Sequence, residues 1–172
     1  MNEPLAEMFR YNRWANLRLL EDCKGLPDDQ LDQLVPGTFG SIRSTLLHLV
    51  SGQDVFIARL RGEDQFETMR LWAGWPGFEM VLHAAITSSD ALIAIAESTD
   101  TDEFINQGFQ FEGQHFAISK SFLLTHALTH AAEHRSQVVT ALSQLGVIPP
   151  NLDGWAYAED SGAVRRLDEA TV

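Results

Sequence analysis

The chain has 172 residues, the size of one domain at the usual ~100–200 residues each. Hydrophobic residues make up 45% and charged residues 21%, a globular composition that excludes an intrinsically disordered chain. Twelve basic against 24 acidic residues give a net charge of -12, which argues against nucleic acid or an anionic membrane as partner, since such binders carry a basic face.

The first helix is predicted from about Pro4 to Cys23, with Pro4 suited to a first turn. Leu5, Met8, Phe9, Ala15, Leu19, Leu20 and Cys23 form its apolar stripe at helical spacing. Asn12 and Asn16 fall inside that stripe, where unpaired amides are costly. Either they cap loops or bond neighbouring helices, or they line a polar pocket beside a bound ion. Gly25-Leu26-Pro27-Asp28 ends the helix, and a loop follows through Pro36-Gly37-Thr38-Phe39-Gly40.

Ser41 is the expected N-cap of a second helix reaching about Leu60, before Gly62. Its stripe is Ile42, Leu46, Leu49, Val50, Phe56, Ile57 and Leu60. A loop with Trp72, Trp75 and Pro76-Gly77 leads to a third helix over about Phe78 to Glu97. Leu82, Ala85, Ile86, Ile93 and Ala96 are its expected core residues.

Residues Glu103 to Ser119 carry Phe104, Ile105, Phe109, Phe111, Phe116 and Ile118 around Glu112-Gly113, the pattern of a β-hairpin. The fourth helix is predicted from about Ser119 to Leu145, stopping at Gly146 with Pro149-Pro150 beyond. Trp155 and Tyr157 in the polar tail are placed to fold back on the body. The expected fold is all-α: an antiparallel four-helix bundle with a small β-hairpin before the last helix. One domain spans 1–172, with the bundle over about 4–146 and a tail over 147–172.

No stretch approaches the ~20 apolar residues of a membrane helix. Glu3, Glu7, Arg10 and Arg13 interrupt the amino terminus against a signal peptide. A lone Cys23 excludes an internal disulfide or a cysteine-cluster metal site, and it lies on a core stripe as a buried small hydrophobe. These features suit the cytoplasm.

Six histidines carry the chemistry: His48, His83, His115, His126, His130 and His134. Three share the fourth helix at four-residue spacing, one turn apart. Two imidazoles so placed can chelate one metal ion, whereas His126 and His134 stand roughly 12 Å apart along the axis. With His126 at zero on a wheel of about 100° per residue, His130 lies near 40° and His134 near 80°. The apolar arc of Leu123, Ala127, Ala131, Val138, Ala141, Leu142 and Leu145 spans roughly 60° to 160°. The pair facing the interior is therefore His130 and His134, and His126 lies outside the arc. Each imidazole could instead be a core histidine bonded to a carbonyl. A neutral ring on a divalent cation avoids burying charge. A third ligand must come from elsewhere. His48, within Leu46-Leu47-His48-Leu49-Val50, ranks ahead of His83 and His115 on apolar context, and all three stay open.

Taken together, these segments resemble the DinB/YfiT-like metalloenzymes, DNA-damage-inducible helical proteins. The resemblance rests on Phe9 through Ala15-Asn16, on Gly40-Ser41-Ile42 through Leu46-Leu47-His48-Leu49, and on His126, His130 and His134-Arg135-Ser136-Gln137. Gly154-Trp155-Ala156-Tyr157 is similar to a subgroup. It covers nearly the whole chain. The family commonly has glycine where this chain has Ser136, a departure that touches no ligand. The resemblance implies a four-helix bundle holding one divalent ion, zinc or nickel, on His48, His130 and His134. Asn12, Asn16, His126 and Gln137 are then expected to line the pocket or support the ligands.

Characterised relatives include transferases and an isomerase that use low-molecular-weight thiols. Three histidines leave a coordination position open, the pattern of a catalytic site. The first expectation is thus a thiol-dependent S-transferase acting on a small electrophile, with a homodimer allowed. The alternatives are a metal-dependent hydrolase and a non-catalytic metal-binding stress-response module.

Overall fold

The structure is a computed structural model that describes residues 3–63, 74–98, 100, 102–111 and 114–165. Trp72, the Glu112-Gly113 turn and Arg166 lie outside the described residues. Helix α1 runs over Glu3–Lys24, with Glu3 in its first turn and Lys24 in its last. Those charges complement the helix dipole. Its buried line is Ala6, Phe9, Asn12, Ala15, Asn16, Leu19, Leu20 and Cys23, one residue every three or four. Met8, counted in the stripe above, is 54% exposed. It lies one residue beside the buried line, at the boundary where a wheel cannot decide.

A short helix α2, Asp28–Asp32, occupies what the sequence reads as loop. Its two acidic residues suit the first turn, and buried Leu31 plugs the core. Five residues are too few for helical periodicity to register. Helix α3 spans Ile42–Arg61. The Ser41 hydroxyl accepts from the Ser44 N–H at 3.2 Å, and Gly62 closes the helix at φ 71°, the left-handed conformation that favours glycine.

Helix α4 spans Phe78–Ser98 and buries Val81, Leu82, Ala85, Leu92 and Ala96. Ile86 is partly exposed and Leu92 takes its place in the core. By length and composition this helix does reach membrane-spanning range, with mean hydropathy 1.4 over its best window, contrary to the sequence expectation. In the fold it is a bundle helix. Glu79, Asp90 and Glu97 pair with Lys24, Arg13 and Arg10 of α1.

Strands β1, Phe104–Phe111, and β2, Gln114–Ser119, form the expected hairpin. Phe104 pairs with Ser119 and Ile105 with Ile118, with a register shift between Ile105 and Phe109. Ile105 and Ile118 pack on the core. Helix α5, Lys120–Gln144, starts at Ser119, whose hydroxyl accepts from the Phe122 N–H. It ends where Val147 N–H bonds the Leu142 carbonyl at 2.9 Å. Helix α6, Gly154–Asp160, is capped by Asp153. Through it Tyr157 folds back onto Tyr11 and Trp14, at ring separations of 5.6 Å. Trp155 stays 74% exposed.

The four long helices form an all-α antiparallel bundle. Helix α1 packs on α4 and α5, and α3 packs on the same two. One core cluster joins Leu19, Leu20 and Cys23 to Leu46, Leu49, Val81, Ala85, Val138 and Leu142. The other joins Ala6 and Phe9 to Phe56, Ile57, Leu92, Ala96, Leu123 and Ala127. Residue order along these clusters sets the directions: α1 and α5 run one way, α3 and α4 the other. The antiparallel neighbours are thus α1 with α4 and α3 with α5. That second pairing places two histidine-bearing helices side by side.

Candidate metal centre

His48 comes from the middle of α3, and His130 and His134 from successive turns of α5. One ring nitrogen from each lies within 4.8 Å of the others. His48 Nε2 and His130 Nε2 are 3.1 Å apart. Bonds of about 2.0–2.1 Å to a tetrahedral ion would set ligand nitrogens roughly 3.3 Å apart, so this pair already has ligand spacing. Among the described residues, no other group of three histidine, cysteine or acidic side chains converges this way.

His83 and His115 are both exposed, on α4 and β2. The third imidazole is therefore His48, because α5 packs against α3 and meets α4 only across the bundle. His134 is 5% exposed, while His48 and His130 are half-buried. His126 is exposed, and its ring stands 6.1 Å from that of His130. This is the order the helical wheel predicts.

Several neighbours hold the rings. Gln137 Oε1 lies 2.8 Å from His134 Nδ1. An N–H donated there leaves the Nε2 lone pair for a ligand bond, the usual support for a metal-bound imidazole. Phe39, in the loop before α3, stacks on His48 at 4.3 Å and meets the edge of His134 at 5.2 Å. Phe56 sits edge-on to His130 at 5.5 Å. Gly52 faces His130 across the helix interface. A Cβ there would lie 2.7 Å from the ring Cε1, so only glycine lets the imidazole approach α3 this closely. Sequence reading missed Phe39, Phe56 and Gly52, because nothing local marks a residue whose partner is on another helix.

Burial sets the charge state. Desolvation, then the neighbouring His134, His48 and His126, push the His130 pKa down to about 4. Desolvation and then His134 lower that of His48. Both rings are therefore neutral near pH 7, with their Nε2 atoms 3.1 Å apart. A divalent cation fits that donor set, and three imidazole nitrogens leave further positions for other ligands. The cluster opens onto a cleft of about 410 Å3, lined by Ser51, Val55, Phe56, Arg59 and His126 beside His48 and His130.

Asn12 and Asn16 do not line this cleft. Their Oδ1 atoms accept hydrogen bonds from Arg135 Nη1, that to Asn16 at 2.7 Å, so the amides tie α1 to α5. Of the two readings open for them, the interhelical one is what the structure displays. Arg135 follows His134 in sequence but turns toward α1, where its guanidinium lies 5.7 Å from the Tyr11 ring. Asn16 Nδ2 is buried with no hydrogen-bond partner among the described residues. Cys23 is fully buried, and desolvation raises its thiol pKa to about 12. It is not a usable nucleophile.

Comparison with known proteins agrees with this geometry. Protein DinB of Bacillus subtilis (strain 168) is 23% identical over 164 residues, covering 91% of this chain and 95% of that protein. The profile of the DinB family matches residues 1–166, a span that holds all three converging histidines and the helices that carry them. The chain belongs to the DinB family.

Proposed function

We propose that the protein is a metal-dependent S-transferase of the cytoplasm that joins a low-molecular-weight thiol to a small electrophile. The observation that carries this reading is the set of three convergent imidazoles, two of them held neutral, opening onto a cleft. His48, His130 and His134 would hold a divalent ion, zinc or nickel, through ring nitrogens. Bound there, such an ion supplies Lewis acidity that favours the anionic form of a thiol.

The protein's own groups account for the rest. Buried Cys23 cannot serve as nucleophile, so the sulfur must arrive as a cosubstrate. Val55 and Phe56 offer apolar wall to the body of the electrophile, and Arg59 brings positive charge to the same cleft. His126, on the cleft wall and outside the ligand set, would take up the thiol proton on a ring nitrogen.

The test is metal content of untagged protein, followed by assays of thiols against a panel of alkyl halides and epoxides with product mass as readout. Conjugation that is lost in H48A supports the transferase. Hydrolysis of the same electrophiles without thiol makes the protein a hydrolase. Full metal occupancy without turnover leaves a binding module and overturns the enzymatic reading.

A further inference from the structure

A second cleft, of about 640 Å3, opens on the other flank of α5, between α1 and α6. Its walls are largely apolar, with Met8, Leu128 and Ala132 among them, and Arg135 also lines it. Arg135 is only 6% exposed. A guanidinium stays charged at any ordinary pH, and arginine is almost never this buried without an opposite charge. Here the partners are neutral: two amide oxygens, both served by Nη1, and Tyr11, through its ring and a side-chain hydrogen bond. Among the described residues no carboxylate bonds Arg135. The acid that shares the cleft, Glu7, is committed to Tyr157 at 2.7 Å and Arg10 at 3.1 Å.

The cleft therefore presents an uncompensated cation among apolar walls. A ligand with one negative charge and an apolar body satisfies both. A carboxylate matches the planar N–H edge of a guanidinium. Glu7 disfavours a second negative charge in the same space, which selects a monocarboxylate over a phosphate dianion. We propose that this cleft binds an apolar monocarboxylate, with its carboxylate on Arg135 and its chain along Met8, Leu128 and Ala132. The site is separate from the histidine cleft, which α3 lines, and does not depend on the reaction performed there.

The experiment is calorimetric titration of the full chain with decanoate, and with 1-decanol as the uncharged molecule of equal chain length. Decanoate should bind one to one, at least tenfold more tightly than decanol. In R135Q its affinity should fall to that of decanol. Ala132→Trp fills the cleft and leaves Arg135 in place. That variant should lose both ligands while keeping the metal content and melting temperature of the parent. No saturable binding of decanoate, equal affinity for decanol, or undiminished decanoate binding in A132W overturns the proposal. Should R135Q fail to fold, the decanol comparison and A132W decide the matter, since both use folded protein.

Discussion

The two flanks of α5 bury polar groups in opposite ways. Toward α3 lie three imidazoles, two of which shed their charge on burial, so that His130 titrates near pH 4. Toward α1 lies Arg135, which cannot shed its charge and is held instead by Asn12 and Asn16. The comparison teaches why one flank suits a cation and the other an anion. Neutral rings turn lone pairs inward and need an external positive charge to use them. A guanidinium offers only donors and keeps its positive charge, and its partners here are neutral.

The strongest way to break the contrast is to remove a ring from the α3 side. H130A or H134A should abolish stoichiometric metal, measured on purified folded protein, whereas H126A should retain it. Full occupancy in the His134 variant would sink the ligand assignment. Metal held a hundredfold above its dissociation constant should stabilise the parent by about 2.7 kcal/mol and should give these two variants nothing.

A milder perturbation removes the support and leaves the ligand. Gln137→Ala frees His134 Nδ1 and should weaken metal binding about 10–100-fold, with folding of the metal-free protein little changed. Competition with a chelator of known affinity measures it; parental affinity would make the Gln137 contact incidental.

On the α1 side the expectation inverts. Asn12→Ala strands a buried guanidinium N–H, which should cost about 1.5–3 kcal/mol of stability while metal content stays at the parental level. Urea unfolding and elemental analysis on one sample would read both. Loss of metal without loss of stability would erase the distinction between the flanks.

Gly52→Ala separates the two kinds of effect on one residue. Alanine improves an interior helical position by about 0.5–1 kcal/mol, so metal-free α3 should not suffer. The added Cβ, 2.7 Å from His130 Cε1, must displace the ring, and metal affinity should fall about tenfold, or about 1.4 kcal/mol. Unchanged affinity would show that the ring relaxes without leaving the cluster.

The contrast also predicts a pH dependence. The His130 pKa is lowered from 6.5 to about 4 on folding. As pH falls through that window the unfolded chain takes up the proton before the folded one. The metal-free protein should therefore lose stability from pH 6.5 downward, levelling off near pH 4. The readout is the melting temperature of the metal-free parent minus that of His130→Asn. A difference that stays flat across the window would count against a buried neutral ring.

Much of this molecule was legible in the residues alone. The four long helices follow from apolar stripes and the Ser41 cap, because periodicity and capping are local properties of a chain. So is the facing of His130 and His134, since residues one turn apart share a side wherever the helix goes. Helices α2 and α6 escaped because five and seven residues show too little periodicity. The sequence reading found no stretch near membrane-helix length, whereas α4 reaches it and carries three acidic residues that pair with α1. The third imidazole was a matter of neighbours. Residue reading ranked His48 first on apolar context but left His83 and His115 open, and the resemblance chose His48. The packing of α5 on α3, with α4 across the bundle, makes His48 the one that meets the pair. Asn12 and Asn16 had two readings until Arg135 supplied their partner from about 120 residues away in the chain. A sequence determines which side chains share a helix face. Only the tertiary structure decides which face they meet, because that choice is settled by the summed burial of all four helices at once.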